Sequence, residues 1–386
     1  MSAFIHNIEC TVPQTSYSQP FIAEKMKGWI RGDRVTNRQI DSIYGRSDIE
    51  KRHTVISDPD AFFKTSGSGP AESPTTAARN TIFTTEARRI YVQTARKVLT
   101  TCDHICSDEI THLITVSCTG FFNPGPDFEI VKQLGLNRTV QRFNIGFMGC
   151  YAAFPALRLA KAICESDPNA VVLVVAVELC TLHAQLKKDT DSLLAGALFA
   201  DGGAAAIISA KSPGAGKPVL QLHHCESTLI PDSESEMAWA IGDNGFEMTL
   251  TQYVPKIIEA NIAEIVLPIL KGRSLTVSGV DYWAVHPGGK AILDRIESCL
   301  GLNSHLDDSR WVLSQYGNMS SVTVLFVLKR IMAKPMTKAD ESIVAMAFGP
   351  GLTVEVAFMG KIAAPRVPQA QGNAETPDKL GNVARI

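Results

Sequence analysis

Long apolar runs are missing from this 386-residue chain: the longest, Ala170 to Val177, covers eight residues and stops at Glu178. A bilayer-spanning helix needs about 18 or more, so no membrane span is expected. Met1 to Val12 holds no basic stretch followed by a long apolar one, so no secretory leader is expected either. An excess of one charge sign is also missing. Thirty-seven Lys and Arg stand against 39 Asp and Glu, a net −2. That balance excludes a globally basic nucleic-acid binder, though not a local patch. Gly (28) and Pro (20) are ordinary in number, which excludes a fibrous or low-complexity chain. Nine cysteines, an odd count without a leader, do not make a disulfide framework; reduced thiols in a cytoplasmic protein are the expectation.

What is present is a large globular chain, 45% hydrophobic and 20% charged. At roughly 150 residues per domain it predicts two domains or one duplicated one. Helical spacing marks Phe21 to Ile30 and Thr85 to Leu99. Ile110 to Val116, Val171 to Val177, Ala204 to Ile208 and Ile343 to Ala347 read as buried strands. The stretch from Lys64 to Thr76, rich in Ser, Gly, Pro and Thr, reads as a surface loop, and residues 365–386 as a loose tail.

The chain also resembles itself. Shifted by 168 residues, Gly149-Cys150 falls on Gly317-Asn318, Ala156-Leu157 on Val324-Leu325, and Lys161 on Lys329. Each segment is a glycine-bearing turn feeding an apolar helix, with a strand before it. Phe199-Ala-Asp-Gly-Gly and Phe348-Gly-Pro-Gly form a further matched pair, each read as a glycine turn beside a strand. Chance likeness of two α/β units accounts for this, and so does a duplication whose halves present Cys150 and Asn318 at equivalent places. Alternation of strands and helices favours mixed or parallel sheets covered by helices.

Three residues can carry chemistry. Cys150 precedes an apolar helix whose positive end would favour a thiolate; a lone cysteine reads equally as a small buried hydrophobe. His286 ends a strand before Pro287-Gly288-Gly289, where it can reach a cleft or serve the structure. Asn318 beside Gly317 is a turn residue or an oxyanion donor. Cys, His and Asn together make a nucleophile, a base and a donor. The basic residues Arg46, Lys51 and Arg52 suit a solvated face or a phosphate-bearing substrate.

With these residues in this order, the sequence resembles the chalcone and stilbene synthase family, the type III polyketide synthases of the thiolase superfamily, from about residue 10 to 360. The resemblance rests on Gly149-Cys150, Val285-His286-Pro-Gly-Gly, Gly317-Asn318-Met-Ser-Ser, Leu198-Phe199-Ala-Asp-Gly-Gly and Phe348-Gly-Pro-Gly-Leu-Thr-Val-Glu. It implies a five-layer αβαβα thiolase-like fold of two pseudo-repeated halves, here 1–212 and 213–364. It implies a homodimer and a catalytic set of Cys150, His286 and Asn318, with the thiolate held by His286 as an ion pair. Acyl-CoA starters and malonyl-CoA are the implied substrates, with no acyl carrier protein, no cofactor, no metal and no acidic residue in the site.

The same resemblance places substrate contacts at Phe199, Met248, Trp239, His183, Cys180, Cys118, Ser320, Gly349, Pro350 and Gly351, and a CoA contact at Arg46. Against plant chalcone synthases, Met248 stands for a second gatekeeper phenylalanine. Cys118, Cys180 and His183 stand for threonines, Trp239 for a glycine, and Asn123 for a methionine that plugs the partner's cavity. These changes argue against a chalcone product and imply a non-plant type making a short pyrone or a resorcinol- or phloroglucinol-type ring. A β-ketoacyl synthase III-like condensing enzyme and a silent thiolase-fold binding protein are the other readings.

Overall fold

The computed structural model describes residues 2–64, 71–213 and 217–363. Residues 65–70 of the expected Ser/Gly/Pro-rich loop and the expected tail lie outside the described residues. The N-terminal half runs β1 (Ala3–Thr11), β2 (Ser16–Ser18), α1 (Gln19–Ile30), α2 (Arg34–Gly45), β3 (Lys51–His53), α3 (Pro59–Phe62) and α4 (Thr76–Thr100). It continues through β4 (His112–Ser117), α5 (Pro126–Leu134), β5 (Gln141–Gly146), α6 (Ala153–Ser166), β6 (Val171–Leu179), α7 (Thr190–Leu198) and β7 (Asp201–Ser209). The C-terminal half opens with β8 (Val219–Leu229), β9 (Met237–Gly242), β10 (Gly245–Leu250), α8 (Val254–Lys271) and β11 (Tyr282–Val285). It closes with α9 (Lys290–Leu300), α10 (Asp307–Tyr316), α11 (Thr323–Met332), β12 (Asp340–Gly349) and β13 (Thr353–Ile362). Ser18, Asp33, Thr75 and Asp189 each accept a backbone N–H at the start of a helix. Caps of this kind are worth about 1 kcal/mol each.

Nine strands form one mixed sheet in the order β11-β12-β13-β8-β1-β7-β6-β4-β5. Two half-sheets meet at β1 and β8, which pair only through Ala3–Leu222, Phe4–Gln221 and Ile5–Leu220. Alternation along the strands then builds layers. In β6, Val172, Val174 and Ala176 face a central core, while Leu173, Val175 and Val177 face outward onto Ile90, Tyr91 and Ala95 of α4. In β12, Ile343, Ala345 and Ala347 join the same central core, while Val344, Met346 and Phe348 face Ile258, Ile262 and Val266 of α8. The central core is filled by α6 and α11, whose apolar residues pack between the half-sheets. The stack is therefore helix, sheet, helix pair, sheet, helix.

The duplication is visible in the order itself: β1-β7-β6-β4 on one side is matched by β8-β13-β12-β11 on the other. One sequence match is corrected. Phe199 precedes β7, whereas Phe348 lies within β12, so these two phenylalanines are not equivalent. Gly202 and Gly203 are not a turn but the start of β7. They are glycines because the space is taken: a Cβ on Gly202 would sit 2.5 Å from Met319 Sδ.

The same crowding generates opposite expectations for two glycines. A Cβ on Gly203 would lie 2.9 Å from Ile90 Cγ2 and 3.3 Å from Val177 Cγ2, both on stiff β-branched side chains. Gly203→Ala should cost about 1–3 kcal/mol by overpacking α4 against the sheet. Gly28, exposed within α1 with nothing within 4 Å of its missing Cβ, should instead stabilise by up to about 1 kcal/mol as Ala. Denaturant midpoints moving in the same direction for both variants would contradict the packing argument.

Candidate active site

Cys150 follows Gly149, whose φ of +82° and missing side chain are both required, since a Cβ there would lie 2.4 Å from Pro350 Cδ. The regular helix α6 begins three residues on, and Pro155 falls in its first turn, where it breaks no backbone bond. Gly349 approaches from the β12–β13 turn so closely that a Cβ would meet the Tyr151 ring at 2.3 Å. Pro350 forms part of the wall, and Gly351, with φ +76°, completes the turn.

His286 continues from β11, its N–H bonded to Met346 O at 2.8 Å. The ring is buried, and neither nitrogen has a hydrogen-bond partner. Gly288 keeps the approach open, since a Cβ there would stand 3.6 Å from His286 Nε2. Asn318 leaves α10 through Gly317, at φ +72°. Its orientation is fixed at both ends: Oδ1 accepts from Ser320 N–H at 2.8 Å and Nδ2 donates to Gly288 O at 3.1 Å. The Asn318 side chain also favours ionisation of Cys150.

Burial acts on the two titratable groups separately. It pushes the Cys150 thiol up to about 11 and the His286 imidazole down to about 3. The helix end expected to favour a thiolate does not by itself offset that desolvation.

One acidic residue lies close by without lining the cavity that Cys150 lines. Glu178, the acid that interrupts the apolar strand β6, is buried beside the site. It accepts from Cys118 N–H (3.0 Å), Thr119 Oγ1 (2.8 Å) and Ser321 Oγ (2.6 Å), and Cys118 Sγ donates to it at 3.3 Å. Burial raises its pKa, and its charge also opposes ionisation of Cys150. Ser320, at φ +50°, contacts Cys118 Sγ at 3.2 Å and favours ionisation of Cys150. The signal for Glu178 was in the sequence: an acid ending the longest apolar run sits where few charges are tolerated.

Cys150, Cys118, Cys180, Phe199 and Ser320 line a small cavity of about 320 Å³. Across Phe199, Cys180, Trp239 and Met248 lies a second, apolar one of about 830 Å³, running to Ile22, Met26 and Trp29 of α1. Trp239 and Met248 are cross-strand partners in the β9–β10 hairpin, and Trp239 Nε1 donates to Cys118 O at 3.0 Å. His183 is a wall residue. Its Nδ1 accepts from Phe246 N–H (3.0 Å), its Nε2 meets Thr119 O (2.7 Å), and it stacks on Phe246. Burial pushes it down to about 4, so it is neutral at pH 7.

The expected basic cluster does not form. Arg52 turns inward, donating to Gln19 Oε1, Gly196 O and Phe199 O, because three acceptors there satisfy a buried guanidinium. Arg46 caps α2 with its side chain exposed, and Lys51 is exposed. Asn123 lies exposed at the surface.

Comparison with known proteins gives a consistent picture. Residues 2–212 match the family model for chalcone and stilbene synthases, N-terminal domain, and residues 221–363 the model for the C-terminal domain. An alpha-pyrone synthesis polyketide synthase-like protein, Pks18, of Mycobacterium tuberculosis is 33% identical over 323 residues, 82% of this chain and 81% of that protein. The crystal structure of PKS-I from the brown alga Ectocarpus siliculosus superposes with a TM-score of 0.84 at 30% identity, covering 94% of this chain and 98% of that one. The C-terminal type III polyketide synthase domain of Steely1, a type I/III hybrid from Dictyostelium, gives 0.86 at 28% identity, covering 94% and 100%.

The opposed pKa shifts make a prediction. In His286→Ala, alkylation of Cys150 by iodoacetamide should keep rising with pH toward about 11, the position burial alone sets. In the wild type, a proton acceptor at His286 should bring the rise to lower pH. Superimposable rate–pH profiles would show that His286 does not take the thiol proton.

Proposed function

The chain belongs to the chalcone and stilbene synthase family, the type III polyketide synthases, and we propose that Cys150, His286 and Asn318 carry its decarboxylative condensation of malonyl-CoA onto an apolar acyl-CoA starter. The enzyme is an acyltransferase of the condensing class, and the β-ketoacyl synthase III and silent-protein readings give way to that membership. The observation that carries the site assignment is a buried imidazole whose two nitrogens have no partner among the described residues, together with an asparagine amide held at both ends that favours ionisation of the buried Cys150. Buried polar groups are rarely left unpaired unless a ligand completes them.

In this reading the Cys150 proton passes to His286, and the thiolate attacks the starter thioester, forming acyl-Cys150 and expelling CoA. Malonyl-CoA then loses CO2, and the electron pair of the broken C–C bond becomes a thioester enolate. His286 and the free amide hydrogen of Asn318 donate to that enolate oxygen. Exclusion of water keeps the enolate from being protonated before its carbon attacks the acyl-Cys150 carbonyl and the thiolate leaves. The lengthened chain returns from CoA to Cys150 for the next round. Every electron pair comes from the substrates, so no cofactor or metal is needed, and free CoA thioesters serve without a carrier protein. Exposed Arg46 would meet the CoA phosphates.

Two wall features support the substrate choice. The cavity reaching α1 is lined mainly by apolar side chains, which suits an aliphatic starter. Trp239 fills space where the growing chain would coil, which favours few extensions and release as a pyrone or a small resorcinol- or phloroglucinol-type ring. We infer a homodimer through β5, an edge strand with exposed Phe143 next to exposed Phe121, Phe128 and Phe147; a monomer mass by light scattering would sink it. Nine free cysteines fit a cytoplasmic setting, and the proposed halves divide at 212/213.

Variants separate the roles. Asn318→Ala should slow malonyl-CoA decarboxylation by about 10²–10³ while leaving starter loading largely intact. His286→Ala should damage both steps. Equal loss of loading in the two would refute this division.

Chain length is tested by mass spectrometry of products from malonyl-CoA and acyl-CoA starters of increasing length. Long starters should be preferred, giving triketides or tetraketides. Met26→Trp should shift the preference to shorter starters, and Trp239→Gly should add extensions. Unchanged product patterns in both variants would show that neither cavity holds the chain.

A further inference from the structure

Between the end of β1, α4, α10 and α11 lies another open cavity, of about 580 Å³, that the catalytic reading does not use. Its floor is the end of β1, Cys10 to Val12. One wall is α4 with Lys97, and the other is α10 and α11 with Trp311, Tyr316, Phe326, Lys329 and Arg330. Three cations line it and no carboxylate does. Their counter-ions lie outside the lining: Glu9 takes Lys97 (3.1 Å) and Lys329 (2.6 Å), and Asp308 takes Arg330 (2.8 Å).

The aromatic side is equally organised. Trp311, Tyr316 and Phe326 contact one another edge to face, at 5.8 and 5.0 Å between centroids. The Arg330 guanidinium lies 3.9 Å from the Trp311 ring centre, and Trp311 is 41% exposed. A guanidinium stacked on an indole keeps its edge N–H groups available for an anion. A further polar group awaits a partner: the Thr11 hydroxyl, on the floor, is buried and has none.

We propose that this cavity binds a small planar aromatic anion: an acidic phenol or enol, or an aryl carboxylate. Ring faces are supplied by Trp311, Tyr316 and Phe326, and charge by Lys97, Lys329 and Arg330. Bound ligand acts on the reaction through Tyr316, which ends α10 two residues before Asn318. Asn318 N–H to Leu198 O and Ala200 N–H to Asn318 O, both 2.9 Å, hold the Asn318 backbone to the other half. The enzyme's own acidic pyrone-type product is one source of such an anion, and that identification alone rests on the proposed function; an aryl carboxylate from elsewhere is the other.

The test uses the full chain with Cys150 alkylated, so that the catalytic cavity is closed, and follows tryptophan fluorescence. Two probes are titrated, 4-hydroxy-6-methyl-2-pyrone and 4-hydroxybenzoate. Saturable quenching is expected, lost in Trp311→Phe and weakened at least about tenfold in Arg330→Gln and in Lys97→Gln. The second variant leaves the Asp308 contacts of α10 and α11 untouched, so the site stays testable if the first misfolds. Binding of either probe with these losses supports the site; binding of 4-hydroxybenzoate alone supports it and detaches it from the product. No saturable quenching, or quenching indifferent to Trp311 and the cations, overturns it. In unmodified enzyme, the probe that binds should slow malonyl-CoA decarboxylation in the wild type and not in Arg330→Gln; an unchanged wild-type rate overturns the route through Tyr316.

Discussion

Two backbone hydrogen bonds hold the site in register. Asn318 N–H to Leu198 O and Ala200 N–H to Asn318 O, both 2.9 Å, form an isolated parallel bridge between the end of α7 in one half and the turn after α10 in the other. Phe199 stands on one arm and Asn318 on the other. The buried Arg52 reinforces the first arm by bonding Gly196 O and Phe199 O, and the glycine at 317 lets the second approach. A residue that guards the cavity and a residue that donates to its contents therefore cannot move independently. Cys150 is placed by the same logic, on a turn that Gly149 allows, and His286 by its backbone bond to Met346 O.

Dryness is the second constraint, and it acts against the reactive groups taken singly. Burial drives Cys150 and His286 toward neutrality. Glu178 adds a carboxylate in the same region, held by five hydroxyl, thiol and amide donors. The pocket therefore favours charge only where a partner is already positioned. That suits a reaction whose difficult intermediate is an enolate needing donors and protection from water.

The sequence made some of this legible. The 168-residue shift found α6 and α11, because both must be apolar to fill the space between two half-sheets. The strands β6 and β12 were clear for the same reason. Composition and spacing alone left Cys150, His286 and Asn318 open; the family motifs singled them out, and the structure links them through Asn318 Nδ2 and Gly288 O. Arg52 was misread, because three carbonyl-type acceptors drawn from distant segments cannot be seen in a linear string. Glu178 was passed over because one acid at the end of an apolar strand looks like a boundary until its five donors are in place. Phe199 and Phe348 looked equivalent because similar glycines follow them, but those glycines serve a packed strand in one case and a turn in the other.

The central pair of helices has a consequence for how the enzyme is made. The apolar face of α6, the helix that follows Cys150, is covered by α11 and the second half-sheet, all of which come later in the chain. At about 5–20 residues per second of synthesis, the interval from Cys150 to Asn318 is on the order of ten to thirty seconds. During that interval the nascent N-terminal half shows an uncovered apolar helix and an unguarded thiol, and its sheet ends at β1 with no β8 to meet it. The ribosome therefore finishes the shield well after the nucleophile, and the yield of active enzyme depends on what attends the chain in between.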